Sequence, residues 1–144
     1  MGCVHSPARE PCCRLAVLGR GLGEAVDLLG ATPARDLGGV TVKQRLVADA
    51  VAMEGLVGTL TRVACSRLGV PAVPLHPKKG LRLLRLRLRR LCRLAARFTA
   101  TVERGVERGT IDPALGGRLV ALAGPGAACG PIVYPVDLVA TRCS

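Results

Sequence analysis

The sequence predicts an all-α protein, a small helical hairpin or bundle with two long amphipathic helices, a disordered N-terminal head and a disordered C-terminal tail. Three observations predict this fold. Apolar residues recur at spacings of three and four over two long stretches, 42–68 and 81–108, which is typical of helices with one apolar face. Segments rich in Gly and Pro lie between and after these stretches. The chain has one Phe, one Tyr and no Trp, so any core must be largely aliphatic.

The length of 144 residues is sufficient for one domain, which we expect at 15–124. Residues 1–14 are predicted to form the head. Residues 125–144 are predicted to form a Gly- and Pro-rich tail, in which only residues 132–134 have the composition of a strand.

The first helix is predicted at about 15–30. Gly19, Gly21 and Gly23 weaken it, because each glycine is less favourable than alanine in a helix by about 1 kcal/mol. Its apolar stripe comprises Leu15, Leu18, Leu22, Val26 and Leu29.

The second helix is predicted at about 42–68. Thr41, followed three residues later by Gln44, has the spacing of a capping box at a helix start. Gly69 and Pro71 are expected to end this helix. Its apolar stripe comprises Leu46, Ala50, Met53, Val57, Leu60 and Ala64.

The third helix is predicted at about 81–108, after a proline-rich segment, 70–80, that we expect to be an extended linker. Gly109 is expected to end this helix. Its apolar stripe comprises Leu81, Leu84, Leu88, Leu91, Ala95, Phe98 and Val102.

A short fourth helix is predicted at 113–123. Asp112 has the residue type of an N-cap, and Pro113 suits the first helical position. Gly124 and Pro125 are expected to end the helix.

Positive charge is concentrated in the middle of the sequence. The net charge is +11, and residues 55–102 hold eleven of the 21 cationic residues and no acidic residue. The rest of the chain is neutral, with ten cationic and ten acidic residues. We therefore expect the third helix to contact an anionic surface. The candidate contact residues are Lys78, Lys79, Arg82, Arg85, Arg89, Arg93 and Arg97.

The anionic partner of this helix has more than one interpretation. A membrane surface attracts basic segments, nucleic acid binds them through its phosphates, and a basic run also serves as a nuclear address. Readers that stack bases on aromatic rings are disfavoured, because the chain has almost none. The alternative is an ordinary solvated face, since 18 Arg against 3 Lys and no Asn indicate a GC-rich gene, including a reading frame with little selected structure.

The first six residues match an acylation motif. Met-Gly-x-x-x-Ser places Gly2 and Ser6 at the positions that N-myristoylation requires. One myristoyl chain gives only marginal membrane binding, so stable anchoring needs a second signal. The candidate lipidation residues are Gly2 for myristate and Cys3, Cys12 and Cys13 for palmitate.

The head resembles the dually acylated starts of Src-type kinases, with which it shares Met-Gly-Cys and the hydroxyl of Ser6. It is more similar to the small myristoylated tegument protein of alphaherpesviruses, in which Pro-Cys-Cys, Arg and Gly-Glu-x-Val follow the acylated glycine. Here these are residues 11–14 and 23–26. The resemblance implies myristate on Gly2, palmitate on Cys12 or Cys13, and a role on Golgi-derived membranes during virion envelopment. The acidic cluster of that family has no counterpart in this chain.

Enzyme interpretations have weaker signals. Residues 15–23 resemble a strand that enters a dinucleotide fingerprint, but Glu24 occupies the position of the third glycine. A second resemblance, to the helical C-terminal domain of NAD-dependent glycerol-3-phosphate dehydrogenases, implies an inactive fragment without the cofactor domain. It is carried by residues 19–22, Glu24, Ala25, Glu54, Gly55, Gly69, Val70 and Pro74.

No metal site or cofactor is expected. Cys3, His5, Cys12 and Cys13 lack the CxxC spacing of a zinc site, and seven cysteines without a secretory signal favour free thiols. The sequence has no uninterrupted apolar run of about 20 residues, so no membrane span is predicted.

Together these observations predict a non-enzymatic, lipid-anchored peripheral membrane adaptor or scaffold, viral if the tegument resemblance holds. It is expected at the cytoplasmic face of Golgi or plasma membranes, with an unidentified protein partner and an oligomeric state that the sequence leaves open. The alternative is an Arg-rich nucleic-acid-binding or nuclear accessory protein.

Overall fold

The fold is described by a computed structural model, which covers residues 10–64 and 77–124. These two ranges contain no strand, which confirms the all-α prediction and its two long helices. The helices are α1 (Glu10–Ala31), α2 (Val40–Ala64), α3 (Pro77–Glu107) and α4 (Pro113–Ala123), with a 3₁₀ helix (Ala34–Leu37) between α1 and α2.

Helix α1 begins earlier than the sequence predicts. It starts at Glu10, so Cys12 and Cys13 belong to its first turn and not to a disordered head of 14 residues. A proline is tolerated in the first turn because its missing N–H has no intrahelical acceptor there, so Pro11 does not block the helix. Gly2 and Cys3, the other two candidate lipidation residues, lie outside the described residues.

The predicted capping box at the start of α2 is wrong. The helix begins at Val40, so Thr41 is already its second residue. The N–H of Lys43 donates to the carbonyl oxygen of Gly39 at 3.0 Å, which makes Gly39 the capping position. Gly39 has a φ of 117°, a conformation that glycine adopts without the steric cost of a side chain. The predicted end of α2, beyond residue 64, lies outside the described residues.

Helix α3 also begins before its predicted start. It starts at Pro77, so residues 77–80 are helical and do not belong to the extended linker that was predicted there. Proline is favoured at the first helical position because its fixed φ suits a helix. The rest of that linker, like the 132–134 segment of the predicted tail, lies outside the described residues.

The predicted signals around α4 are confirmed. Gly109 ends α3 with a φ of 74°, and its N–H donates to the carbonyl oxygen of Val106 at 3.1 Å. The carboxylate of Asp112 accepts hydrogen bonds from the N–H groups of Ala114 and Leu115 at 3.1 and 3.4 Å. Pro113 is the first helical residue, and Gly124 follows the last.

The four helices form a bundle in which each helix packs against the next and α4 packs against α1. Helix α2 is antiparallel to α3, because Val42 and Arg108 line the same cleft whereas Asp49 contacts Arg97. The loops before α2 and after α3 therefore meet at one end of the bundle. There, a Cβ added to Gly38 would lie 3.2 Å from the hydroxyl oxygen of Thr110.

Within the described residues, the core is aliphatic around one aromatic ring. Phe98 is completely buried, and those members of the predicted stripes whose side chains the structure describes face the same interior, with Val26 only partly buried. The fully buried large side chains are Leu15, Leu22, Leu29, Leu37, Leu46, Met53, Leu60, Leu91, Phe98, Ile111 and Leu119.

Two glycines allow close packing of α3, one against the turn that follows it and the other against α4. Gly105 packs directly against Ile111, and a Cβ added to it would overlap that side chain. A Cβ added to Gly116 would lie 2.6 Å from Cγ2 of Val106 and 3.3 Å from Cγ1 of Val102. The neighbouring Gly117 faces open space.

Phe98→Ala is expected to lower the free energy of unfolding by about 3–5 kcal/mol, since it removes the largest buried side chain and leaves a cavity. The control is Leu86→Ala on the same helix, where the side chain is 51% exposed and the change is expected to stay within about 0.5 kcal/mol. Urea unfolding followed by circular dichroism measures both. Unfolding of the wild type without a cooperative transition would instead support the interpretation as an unselected reading frame.

Gly116→Ala and Gly117→Ala are expected to change stability in opposite directions. Both replace a helical glycine with alanine, which by itself stabilises a helix by about 1 kcal/mol. At Gly116 the added methyl group must displace Val106, at a cost of about 1–3 kcal/mol. Thermal unfolding should therefore give a higher Tm for Gly117→Ala and a lower one for Gly116→Ala. Equal shifts would contradict the close approach of α3 and α4.

Candidate anion-binding surface

The exposed side of α3 carries three arginines that we call the arginine face: Arg89, Arg90 and Arg93. They are exposed because Leu88 and Leu91, their neighbours in sequence, point into the core and the helix turns by 100° at each residue. Arg89 and Arg93 were predicted contact residues; Arg90 was not.

Four other predicted contact residues lie in the first turns of the same helix: Lys78, Lys79, Arg82 and Arg85. Their backbone is helical and continuous with the arginine face, and their side chains lie outside the described part of the structure. Helix α3 has 31 residues and is therefore about 46 Å long at 1.5 Å per residue. These four basic residues thus lie in the N-terminal half of α3, away from the turn between α3 and α4.

The last predicted contact residue, Arg97, is bound to a carboxylate. Its Nη2 lies 2.5 Å from Oδ1 of Asp49, and its Nε lies 3.2 Å from Oδ2. This is the two-pronged geometry that arginine forms with carboxylates. The hydrogen bond with Asp49, and then the attraction of its charge, raise the pKa of Arg97 above its ordinary value. Arg97 is therefore an internal counterion, and its charge is largely offset at the surface.

Asp49 was not singled out from the sequence. Its side chain is only 2% exposed, whereas that of Arg97 is 61% exposed. A buried carboxylate is costly unless a cation and hydrogen bonds compensate it. A sequence signal for the burial of Asp49 was present, because Asp49 lies three residues after Leu46 and four before Met53, at the border of the apolar stripe of α2.

Among the side chains that the structure describes, 15–62 and 86–124, no carboxylate pairs with the arginine face. The ion pairs among them are Arg35 with Asp36 and Arg97 with Asp49. Arg97 is thus held by a carboxylate, whereas the three guanidinium groups of the arginine face lie exposed.

The other features considered from the sequence are a free cysteine, a nucleotide-binding turn, a metal site and a membrane span. Cys92 is a half-buried free thiol, and residues 15–23, which resemble a nucleotide-binding turn in sequence, are helical throughout. Within the described residues, no cluster of three or more His, Cys, Asp or Glu side chains has the geometry to hold a metal ion. No helix among them combines the length and the apolar character that crossing a bilayer requires.

We expect the Asp49–Arg97 pair to behave as a coupled unit. Arg97→Ala should lower the Tm, because it leaves the carboxylate of Asp49 buried without its cation. Asp49→Ala combined with Arg97→Ala should melt at a higher temperature than Arg97→Ala alone, since the buried charge is then removed as well. Thermal unfolding of both single variants and the double variant measures this coupling. Strictly additive losses would contradict it.

Comparison with protein-family models, with curated proteins and with solved structures gives no match to this chain. Its function is therefore inferred from its own residues.

Proposed function

We propose that this chain is a non-enzymatic, lipid-anchored peripheral membrane adaptor that binds anionic membrane through the arginine face of α3. The observation that carries the proposal is the exposure of Arg89, Arg90 and Arg93, with no carboxylate partner among the described side chains. The cations at the start of α3 extend this positive stretch of helix. Acylation of Gly2, with a second acyl chain at Cys3, Cys12 or Cys13, supplies the anchor.

The packing of α3 defines how such a contact works. From Leu88 to Val102 the apolar stripe is buried in the bundle, so this part of the helix has no free apolar face to insert among lipids. Its contact with a membrane is then electrostatic, and each basic residue near an anionic surface contributes about 1 kcal/mol. Three such residues supply a useful second signal for an acyl chain whose own association constant is about 10⁴ M⁻¹.

The location follows from the same chemistry. Anionic lipids that attract basic segments are enriched in the cytoplasmic leaflet, so the proposed site of action is the cytoplasmic face of Golgi or plasma membranes. The resemblance of the head to the tegument family supports a role in virion envelopment, in which the adaptor holds a protein partner at the membrane.

The second candidate is a nucleic-acid-binding or nuclear accessory protein that uses the same arginine face without a lipid. Arginines bind phosphate groups of nucleic acid as readily as those of lipids. Phe98, the only aromatic side chain in the described ranges, is buried, so it offers no stacking platform. Such binding would be independent of base sequence and strongly dependent on salt.

Vesicle sedimentation tests the proposal. We expect the wild type to pellet with vesicles that contain phosphatidylserine and to be released by salt. Neutralising the arginine face with Arg89→Gln, Arg90→Gln and Arg93→Gln should weaken binding by about a hundred-fold, since roughly 1 kcal/mol is lost for each of the three cations.

The matched control is Arg20→Gln, Arg35→Gln and Arg118→Gln, which removes the same charge from exposed positions elsewhere. It should retain most of the binding. Equal losses in the two variants would contradict a specific role for the arginine face. Tighter binding to an RNA duplex than to the vesicles at the same salt concentration would favour the second candidate.

Acylation is tested by the intact mass of the chain expressed in eukaryotic cells. We expect loss of Met1 and addition of myristate, with membrane pelleting, and we expect Gly2→Ala to abolish both. An unmodified N-terminus would exclude the lipid anchor and leave the arginine face as the sole contact.

A further inference from the structure

A cleft lies between the start of α2 and the end of α3, where the two interhelical loops meet. Its volume is about 140 Å³, and its walls include Arg45, Arg104, Arg108 and Thr110, with Gly105 on the α3 side. It continues along the groove past Arg45 and Arg104 to the Asp49–Arg97 pair. None of its three outer arginines was predicted as a contact residue, because Arg104 and Arg108 follow the acid-free segment and Arg45 precedes it.

The charges of the cleft are convergent and uncompensated. Arg45 reaches it from α2, and Arg104 and Arg108 reach it from α3 and the turn that follows. Across the described ranges, no carboxylate lies within 4.0 Å of these three guanidinium groups. Asp49, which lines the continuation of the groove, already binds Arg97, and Nε of Arg104 donates to the carbonyl oxygen of Ala100 at 3.3 Å. Like charges gathered in this way repel one another, and an anion between them relieves the repulsion.

The backbone around the cleft also favours an anion. Gly38 and Val42 border it, and the first N–H groups of α2 lack intrahelical acceptors and carry the positive end of the helix dipole. At the opposing, negative end of the α3 dipole, the carbonyl oxygen of Gly105 is hydrogen-bonded within the chain. The carbonyl oxygen of Gly105 accepts hydrogen bonds from the N–H groups of Thr110 and Ile111 at 2.9 and 3.0 Å, and from the hydroxyl of Thr110 at 3.1 Å.

We propose that this cleft is a binding site for a phosphate monoester, held by Arg45, Arg104 and Arg108. Guanidinium groups match a phosphate with paired hydrogen bonds, and three of them suit a group that carries close to two negative charges. The volume of about 140 Å³ accommodates such a group but not an acyl chain, and no described aromatic side chain lines the cleft for a base.

The site extends the proposed membrane function and rests on it, because a phosphorylated lipid headgroup is one source of a phosphate monoester. A soluble phosphorylated molecule is the other source. The two surfaces differ in kind. The arginine face is open and responds to the charge density of a membrane, whereas the three guanidinium groups of the cleft surround one binding position. It therefore selects phosphate monoesters over the singly charged headgroup of phosphatidylserine.

Calorimetry with inositol trisphosphate at fixed salt concentration tests the site on the full chain. The variant Arg45→Gln with Arg108→Gln is compared with Arg20→Gln plus Arg118→Gln, which removes the same charge from exposed positions outside the cleft and the arginine face. All four positions are exposed, and circular dichroism verifies that both variants remain folded. We expect the cleft variant to bind at least about ten-fold more weakly than the wild type, and the control to stay within about two-fold.

A second arm identifies the source of the phosphate. Phosphatidylcholine vesicles that contain phosphatidylinositol bisphosphate are added as competitor to inositol trisphosphate. Competition supports the site and assigns it to a lipid headgroup; binding of soluble inositol trisphosphate without competition supports it and assigns it to a soluble ligand. Amide chemical shifts of Gly38 and Thr110 should move on titration in either case.

Three outcomes would overturn the proposal. The two variants could weaken binding equally, or the wild type could show no detectable binding of inositol trisphosphate. The third outcome is that the wild type binds an RNA oligonucleotide but neither inositol trisphosphate nor the lipid vesicles. Each is distinguishable from failure of the proposed function, which is measured separately with phosphatidylserine vesicles and the arginine-face variant.

Discussion

The pair of Asp49 and Arg97 fixes the relative position of α2 and α3, and the exposed chemistry of the bundle depends on that position. Contacts between leucine and alanine side chains are non-directional, so an aliphatic core alone tolerates some sliding of one helix along another. The paired hydrogen bonds to a buried carboxylate tolerate far less. A displacement of α3 by one turn, about 5.4 Å, would separate the two groups and leave the carboxylate buried without its counterion. The register that satisfies Asp49 is also the one that brings Arg45 beside Arg104.

This arrangement places seven of the 21 basic residues in three classes that composition alone cannot distinguish. Arg97 is an internal counterion. Arg89, Arg90 and Arg93 project from one helix into solvent, and their effect is the sum of separate charges. Arg45, Arg104 and Arg108 line one cleft, where the proposed phosphate group would contact all three. The net charge of +11 therefore describes the chain poorly, because only part of it acts on any one partner.

Much of the fold could be predicted from the sequence because its signals are local. The apolar stripes, the cap at Asp112 and the stop at Gly109 each depend on residues within one or two turns. The errors, at Glu10, Thr41 and Pro77, concern helix starts, where neighbouring residues compete for the capping position and a proline is compatible with either interpretation. The site was harder to predict. Asp49 and Arg97 are 48 residues apart, and their contact and the convergence of arginines in the cleft arise only when α2 and α3 pack antiparallel.

The early start of α1 limits the reach of a lipid attached to Gly2. Gly2 lies eight positions before Glu10, where the helix begins, and eight fully extended residue steps span at most about 29 Å. In an acylated chain, the bundle is therefore held on a short tether beside the bilayer. Contact of the basic surfaces with headgroups then becomes an intramolecular step, with an effective concentration in the millimolar range for a short linker. Lengthening the segment before Glu10 would dilute those surfaces without altering a single contact in the fold.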